Sequence, residues 1–173
     1  MPVSQHLQGD PRPRIVPVAT ATAIPLGDVT LISSGNAVPV STIAWDTNLA
    51  TTQSAVRAAF IGVSAQRKEA GVARVYGNSK DNTIRVNTGG VFEFDCALAS
   101  DGSSTVQFNV GDLVGVYASD NAGGPTLDVN PQLLTTAAAE ANAIGRVAEK
   151  NVPATKRVKV ELLSTLQPAA RQS

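Results

Sequence analysis

Turn-forming residues cut this chain into short pieces along nearly its whole length. Gly27-Asp28, Ser33-Ser34-Gly35-Asn36, Gly71, Gly77-Asn78, Lys80-Asp81-Asn82, Gly89-Gly90, Asp101-Gly102, Gly111-Asp112 and the stretch from Asn121 to Pro125 are the markers. Glycine supplies positive φ without a steric penalty, and Asn, Asp and Ser bond the local backbone, so each cluster ends or reverses an element. The runs between them lean towards strands: Val29 to Ile32, Phe60 to Ser64, Thr83 to Val86, Val91 to Phe94, Val106 to Phe108, Leu113 to Tyr117, Ala143 to Val147 and Arg157 to Leu163. In the last run Val158, Val160 and Leu162 alternate with Lys159 and Glu161, the pattern of a half-buried strand. Aromatic residues are only 4% of the chain and its apolar fraction is mostly Ala and Val, with Thr also abundant, so the core has to be built from small and β-branched side chains that suit a pleated surface. The expected fold is mainly β, a compact β-barrel or β-sandwich with one short helix and an extended N-terminal arm.

That helix is expected after Asp46 as its cap, where Leu49, Gln53, Val56 and Phe60 fall at helical spacing and several alanines add propensity. Trp45, just before the cap, reads as a core plug or a staple over the helix. Pro39 between Val38 and Val40 demotes that segment to an edge strand or a bulge. Thr135 to Ala143 is Ala-rich and fits either a short helix or a loop. Residues 1–17 are polar and proline-rich and read as an arm, residues 18–166 as the β-rich domain, and residues 167–173 as a C-terminal tail. One internal echo stands out. Leu26-Gly27-Asp28-Val29 precedes Phe60-Ile61-Gly62-Val63 much as Val110-Gly111-Asp112-Leu113 precedes Ala143-Ile144-Gly145, and the offsets agree (111 − 27 = 84; 145 − 62 = 83). Such an echo means two related β-units or only the recurrence of short turn motifs.

Residues with the chemistry of an active site are sparse. The single histidine, His6, lies in the arm, and the single cysteine, Cys96, falls in a strand pattern as a small buried hydrophobe, so no nucleophile–base pair and no disulfide or multi-cysteine zinc framework is expected. Asp81, Asp101, Asp120 and Asp128 sit singly in turns without the spacing of a calcium loop. Glu93 and Asp95 share one side of a strand, a spacing open to acid–base chemistry, but Phe92 and Phe94 on the other side make a solvated face the simpler reading. Gly89-Gly90 lacks the Gly-Lys-Ser/Thr that a phosphate loop needs. The expectation is therefore a non-enzyme with no catalytic or metal-binding residues and no cofactor. Lys plus Arg (14) equal Asp plus Glu (14), so there is no basic surplus for nucleic acid. The absence of a signal-like N-terminus and of a membrane-length apolar run points to synthesis in the cytoplasm and no membrane partner.

Read in order, several segments resemble the capsid decoration, or cement, proteins of phage heads. They are Ile24 to Leu31, the helix-to-strand passage Ala58 to Arg67, Gly89-Gly90-Val91-Phe92-Glu93-Phe94, Phe108 to Tyr117, Ala143 to Val147 and Val158 to Leu163, so the resemblance covers about residues 24 to 163 through turn glycines and apolar strands. It implies a structural virion protein on the outer surface of the capsid that stabilises the shell by bridging major capsid proteins, as a homotrimer at local threefold axes. Within that expectation, the arm contacts the capsid through His6, Leu7, Arg12, Arg14 and Ile15, and Val158, Val160 and Leu162 form the oligomer interface. Removal of Met1 to Arg14 is then expected to abolish particle binding without lowering the melting temperature. The alternatives are another virion component, such as a head fibre or a tail-associated subunit, and a free carbohydrate-binding β-sandwich module.

Overall fold

Eleven strands in two antiparallel sheets and one α-helix make up the computed structural model, which describes residues 5–44, 46–72, 82–96, 108–117, 133–149 and 157–166. The strands are β1 (Gln5–Gln8), β2 (Pro13–Pro17), β3 (Val29–Ser33), β4 (Asn36–Pro39), β5 (Phe60–Ser64), β6 (Thr83–Asn87), β7 (Val91–Cys96), β8 (Leu113–Val116), β9 (Leu133–Thr136), β10 (Gly145–Glu149) and β11 (Arg157–Leu162), with helix α1 (Leu49–Ala59) between β4 and β5. The expected mainly-β fold with one short helix is what forms. The sheet orders are β2-β6-β5-β3-β4 and β1-β7-β11-β10-β8-β9, and β9 also returns to pair in parallel with β7 at Asp95–Leu133 and Cys96–Leu134.

Without β1, the two sheets have the same order and the same register. Val29 faces Val63 and Thr30 faces Gly62 in one, as Leu113 faces Arg146 and Val114 faces Gly145 in the other. Leu31 pairs with Val38 where Gly115 pairs with Thr135, and Ser64 with Val86 where Val147 pairs with Val160. Ile15 pairs with Arg85 where Glu93 pairs with Lys159. Even the turn bonds coincide. The Gly27 N–H donates to Ser64 O and the Ser64 N–H returns to Asp28 O, each at 2.9 Å, while Gly111 donates to Val147 O and Val147 to Asp112 O, also at 2.9 Å. The chain is thus two copies of one five-strand unit, β2 to β6 and β7 to β11, and the echo in the sequence marks that repeat rather than chance turns.

The shared glycines have a steric cause. A Cβ on Gly62 would lie 2.1 Å from Asn87 O and 2.9 Å from Val86 Cγ1; one on Gly145 would lie 2.6 Å from Glu161 O and 2.2 Å from Val160 Cγ1. These are the same two neighbours in the two repeats, so the neighbouring strand crosses where no side chain fits. Gly62 also has φ 145°, a conformation that L-residues avoid.

Corresponding interior positions are apolar in both repeats. Val16, Ile24, Ile61, Ile84 and Val86 are matched by Phe94, Phe108, Ile144, Val158 and Val160, all buried. The interior of the second repeat belongs to one cluster with Val29, Leu31, Phe60 and Val63 from the other face of the first repeat and with Val56 of α1, so a continuous core joins the two. Helix α1 is held across that junction by the Gln53 Nε2–H, which donates to Val116 O at 3.0 Å. Its cap is Asn48, whose Oδ1 accepts from the Thr51 N–H at 2.9 Å; the expected cap, Asp46, stands two residues earlier and accepts from the Thr47 N–H instead. Pro39 lies on edge strand β4, as its ring requires. The stretch from Thr135 to Ala143 resolves into the end of β9 and a 3-10 turn at Glu140–Asn142. Trp45, Val106-Gln107, Asp81, Asp101, Asp120, Asp128 and the tail at 167–173 lie outside the described residues.

Because the same crossing recurs, Gly62→Ala and Gly145→Ala should each lower stability by more than about 2 kcal/mol, in line with strain at a position that cannot relax. Chemical denaturation of the two variants measures this; indifference at either site would show that the crossing tolerates a methyl group.

Candidate functional site

The N-terminal segment carries the residues expected to contact a partner, and the structure places it differently from an arm. Residues 5–17 are built into both repeats: β1 pairs with β7 of the second, β2 with β6 of the first. Between them the turn at Gly9 to Arg12 is fixed to the linker joining the repeats. The Thr88 and Gly89 N–H groups donate to Pro11 O at 2.9 and 3.1 Å, and the Thr88 hydroxyl donates to Arg12 O at 2.8 Å. Arg12 adopts φ 44°, and its backbone N–H donates to Asp10 Oδ1 at 3.0 Å. His6 sits edge-on to Phe92, with ring centroids 5.2 Å apart, and its Nε2 is 3.1 Å from Gly9 O. The extended arm at residues 1–17 is corrected accordingly: from Gln5 onwards it is a two-strand strap.

His6, Leu7, Arg12, Arg14 and Ile15 are all exposed along this strap, Ile15 at 55%. They share one continuous segment and remain available to a partner. Val158, Val160 and Leu162 are not. They are at most 2% exposed, they belong to the core, and β11 lies between β7 and β10. An oligomer contact through them would need the second repeat to open, so that interface is corrected. Alternation in a strand marks one buried face, but it does not say whether the cover comes from the same chain.

The opposite face of β7 and β11 is a charged ladder. Arg157 reaches Glu93 at 2.9 Å and Asp95 at 3.3 Å, and Lys159 reaches Glu149 at 2.7 Å. The hydrogen bond that Arg157 donates to Glu93 and the charge of Asp95 raise the Arg157 pKa further above its ordinary value. Glu93 and Asp95, the carboxylates with a spacing open to acid–base work, are therefore engaged by one cation. Exposed pairs of this kind contribute about 0–1 kcal/mol each, whereas burying a Val or Leu side chain contributes about 1.5–3 kcal/mol, so β11 is held by its inner face and the ladder keeps the outer one in water.

Sheet edges decide where another chain can add a strand. The Val18 N–H donates to Asn82 O, so alternate β2 residues face β6 and leave Pro13, Ile15 and Pro17 towards the open side. Two of those three have no N–H, which blocks that edge. At the other end of the same sheet stands β4 with Pro39, and β9 is taken up by β7. Among the described residues the edge without proline is β1, Gln5-His6-Leu7-Gln8, with Leu7 37% exposed.

Two features escaped the sequence. Lys68 is buried, its Nζ donating to the carbonyls of Thr20, Thr22 and Glu69 at 2.9, 2.9 and 3.1 Å, and it pins the loop after β2. The C-terminal end of the second repeat reaches back to the first: the Ser164 hydroxyl donates to Ile61 O at 2.6 Å and the Thr165 N–H to Phe60 O at 3.0 Å, with an Arg57 guanidinium bond to Leu163 O alongside. No sequence signal marks these long-range bonds.

Removing Met1 to Arg14 takes away β1 and part of β2, so it should lower the melting temperature by at least about 5 °C, against the expectation for a free arm. Calorimetry of the truncated chain checks this; an unchanged transition would mean the strap contributes nothing to the fold.

Comparison with protein-family models, curated proteins and solved structures gives no match to this chain.

Proposed function

We propose that the chain is a structural virion protein, a decoration protein that binds the outer surface of a phage capsid and stabilises the shell by bridging major capsid proteins. The observation that carries this reading is the strap: an exposed N-terminal segment, anchored to both repeats, that bears the proline-free sheet edge at β1. An added strand there gains directional hydrogen bonds from its partner, and load at the joint passes through β7 and β6 into both repeats. The segments that resemble cement proteins, from Ile24 to Leu163, support the same assignment.

In this reading the partner is the major capsid protein and the assembled form is a homotrimer at local threefold axes. His6, Leu7, Arg12, Arg14 and Ile15 contact the shell, and surfaces other than β11 hold the copies together. Asp10 and Arg12 pair within the strap and Arg14 leaves it a single net positive charge, so attachment depends on backbone pairing and apolar contact more than on long-range attraction.

Quantitative mass spectrometry of density-purified particles from the source tests this. A copy number in simple lattice proportion to the major capsid protein is expected. A few copies per particle would place the chain in a fibre or tail, and its absence from particles would overturn the proposal.

A further inference from the structure

The chain is neutral as a whole, but its two repeats are not. Residues 1–88, which hold the first repeat, carry eight Lys and Arg against five Asp and Glu, a formal charge of +3. Residues 89–173, which hold the second, carry six against nine, a formal charge of −3. Acids on matching strands make much of the difference. Where the second repeat has Glu93, Asp95 and Glu161, the first has Ile15, Pro17 and Asn87, while the basic positions Lys159 and Arg85 correspond. Arg157 lies 2.9 Å from Glu93 and 3.3 Å from Asp95, one positive charge between two carboxylates, so that group keeps a negative charge. On the first repeat Arg67 and Arg85 are exposed. Solubility does not call for such a division, since charges of both signs mixed over the whole surface serve it as well.

We infer that copies of this chain bind one another head to tail, the basic first repeat of one copy against the acidic second repeat of the next. The occupant is a second copy because the two charges are equal and opposite, so each chain carries the complement of itself. A partner of another kind needs only one charged half and leaves the other unexplained. The contact rests on the proposed function only for its symmetry: a ring about a threefold axis needs two different faces per copy, and one face meeting itself cannot build it. Arg67 and Arg85 lie on the basic side, and Glu93 and Asp95 of β7, with Glu140 just before β10, on the acidic side. The strap is left to the shell. The core that joins the repeats holds the two faces in one rigid body. Opposite potentials orient the encounter, but exposed charge pairs are individually weak and are screened by salt. The contact is therefore reversible in solution and strengthens where many copies are held on one surface.

Sedimentation velocity of the full-length chain, without particles, tests this. Association that grows with concentration is expected at about 20 mM salt, weakened at least about tenfold at about 0.5 M. Arg67→Glu with Arg85→Glu takes the first repeat from +3 to −1, and Glu140→Lys with Glu149→Lys takes the second from −3 to +1. Each double variant should weaken association by at least about tenfold, and all four changes together, which restore the opposition with its sign exchanged, should recover it to within about threefold. All variants should keep the wild-type thermal transition; if one lowers it, Gln at the same positions carries the comparison. A chain that stays monomeric at low salt overturns the inference, as does association indifferent to salt and to both double variants. Failure of the fourfold variant to recover overturns the pairing of first repeat with second, and assembly that stops at two copies overturns the head-to-tail order. None of these outcomes touches attachment to the shell, which the copy number on particles decides separately.

Discussion

The structure depends on one crossing made twice. Where β5 runs beside β6, and β10 beside β11, a backbone carbonyl and a valine of the outer strand occupy the space of a Cβ on the inner one. Only glycine admits that approach, which lets the neighbouring strand lie close over each interior. In the first repeat the interior holds Val16, Ile61, Ile84 and Val86; in the second, it holds Phe94, Ile144, Val158 and Val160. The interiors need not be alike in size. A phenylalanine stands in the second where a valine stands in the first, because packing asks for total volume and pattern more than for particular residues.

Two small sheets of this kind have little core each, and the chain adds three long-range ties between them. The strap of β1 and β2 pairs with both; the segment after β11 bonds back to Phe60 and Ile61; and α1 lies across the junction with Gln53 on Val116 O. Each tie closes over backbone groups that would otherwise be unpaired, and buried unpaired groups are costly. The same ties explain the sheet edges: β1 covers β7, β9 folds back onto β7, and prolines stand at β2 and β4.

How much was legible in the sequence follows from these causes. Strands were legible because turn glycines and period-two alternation act locally, and Val158, Val160 and Leu162 read correctly as one buried face. Their cover was not legible, since a core and an interface ask for the same apolar residues. The strap was misread because prolines at 13 and 17 look alike in a loose arm and on an edge strand whose outward positions need no N–H. Asn48 displaced Asp46 as the cap because both residues suit the role, and the choice is set by where Val56 meets the core. The repeat was visible in sequence chiefly as Gly-Asp and Ile-Gly pairs, where backbone geometry dictates the Gly and Asp and a buried interior position keeps the Ile.

A repeat that has lost its sequence likeness separates fold from function. What both copies keep beyond the needs of the turn and the crossing is a candidate for shared use, and what one copy alone carries is a candidate for special use. The α-helix is found in the first repeat, where the second has a 3-10 turn; the added strand β1 and the Arg157 ladder are found on the second. The charges of the ladder are paired among themselves on the outward face of β7 and β11, which sets that face apart from the apolar interior. The strap carries two exposed apolar side chains, Leu7 and Ile15, on strands tied into both halves. A protein that must hold a repeating surface under load would be expected to place its contacts on such elements, because a rigid body transmits force between contacts and a free arm does not.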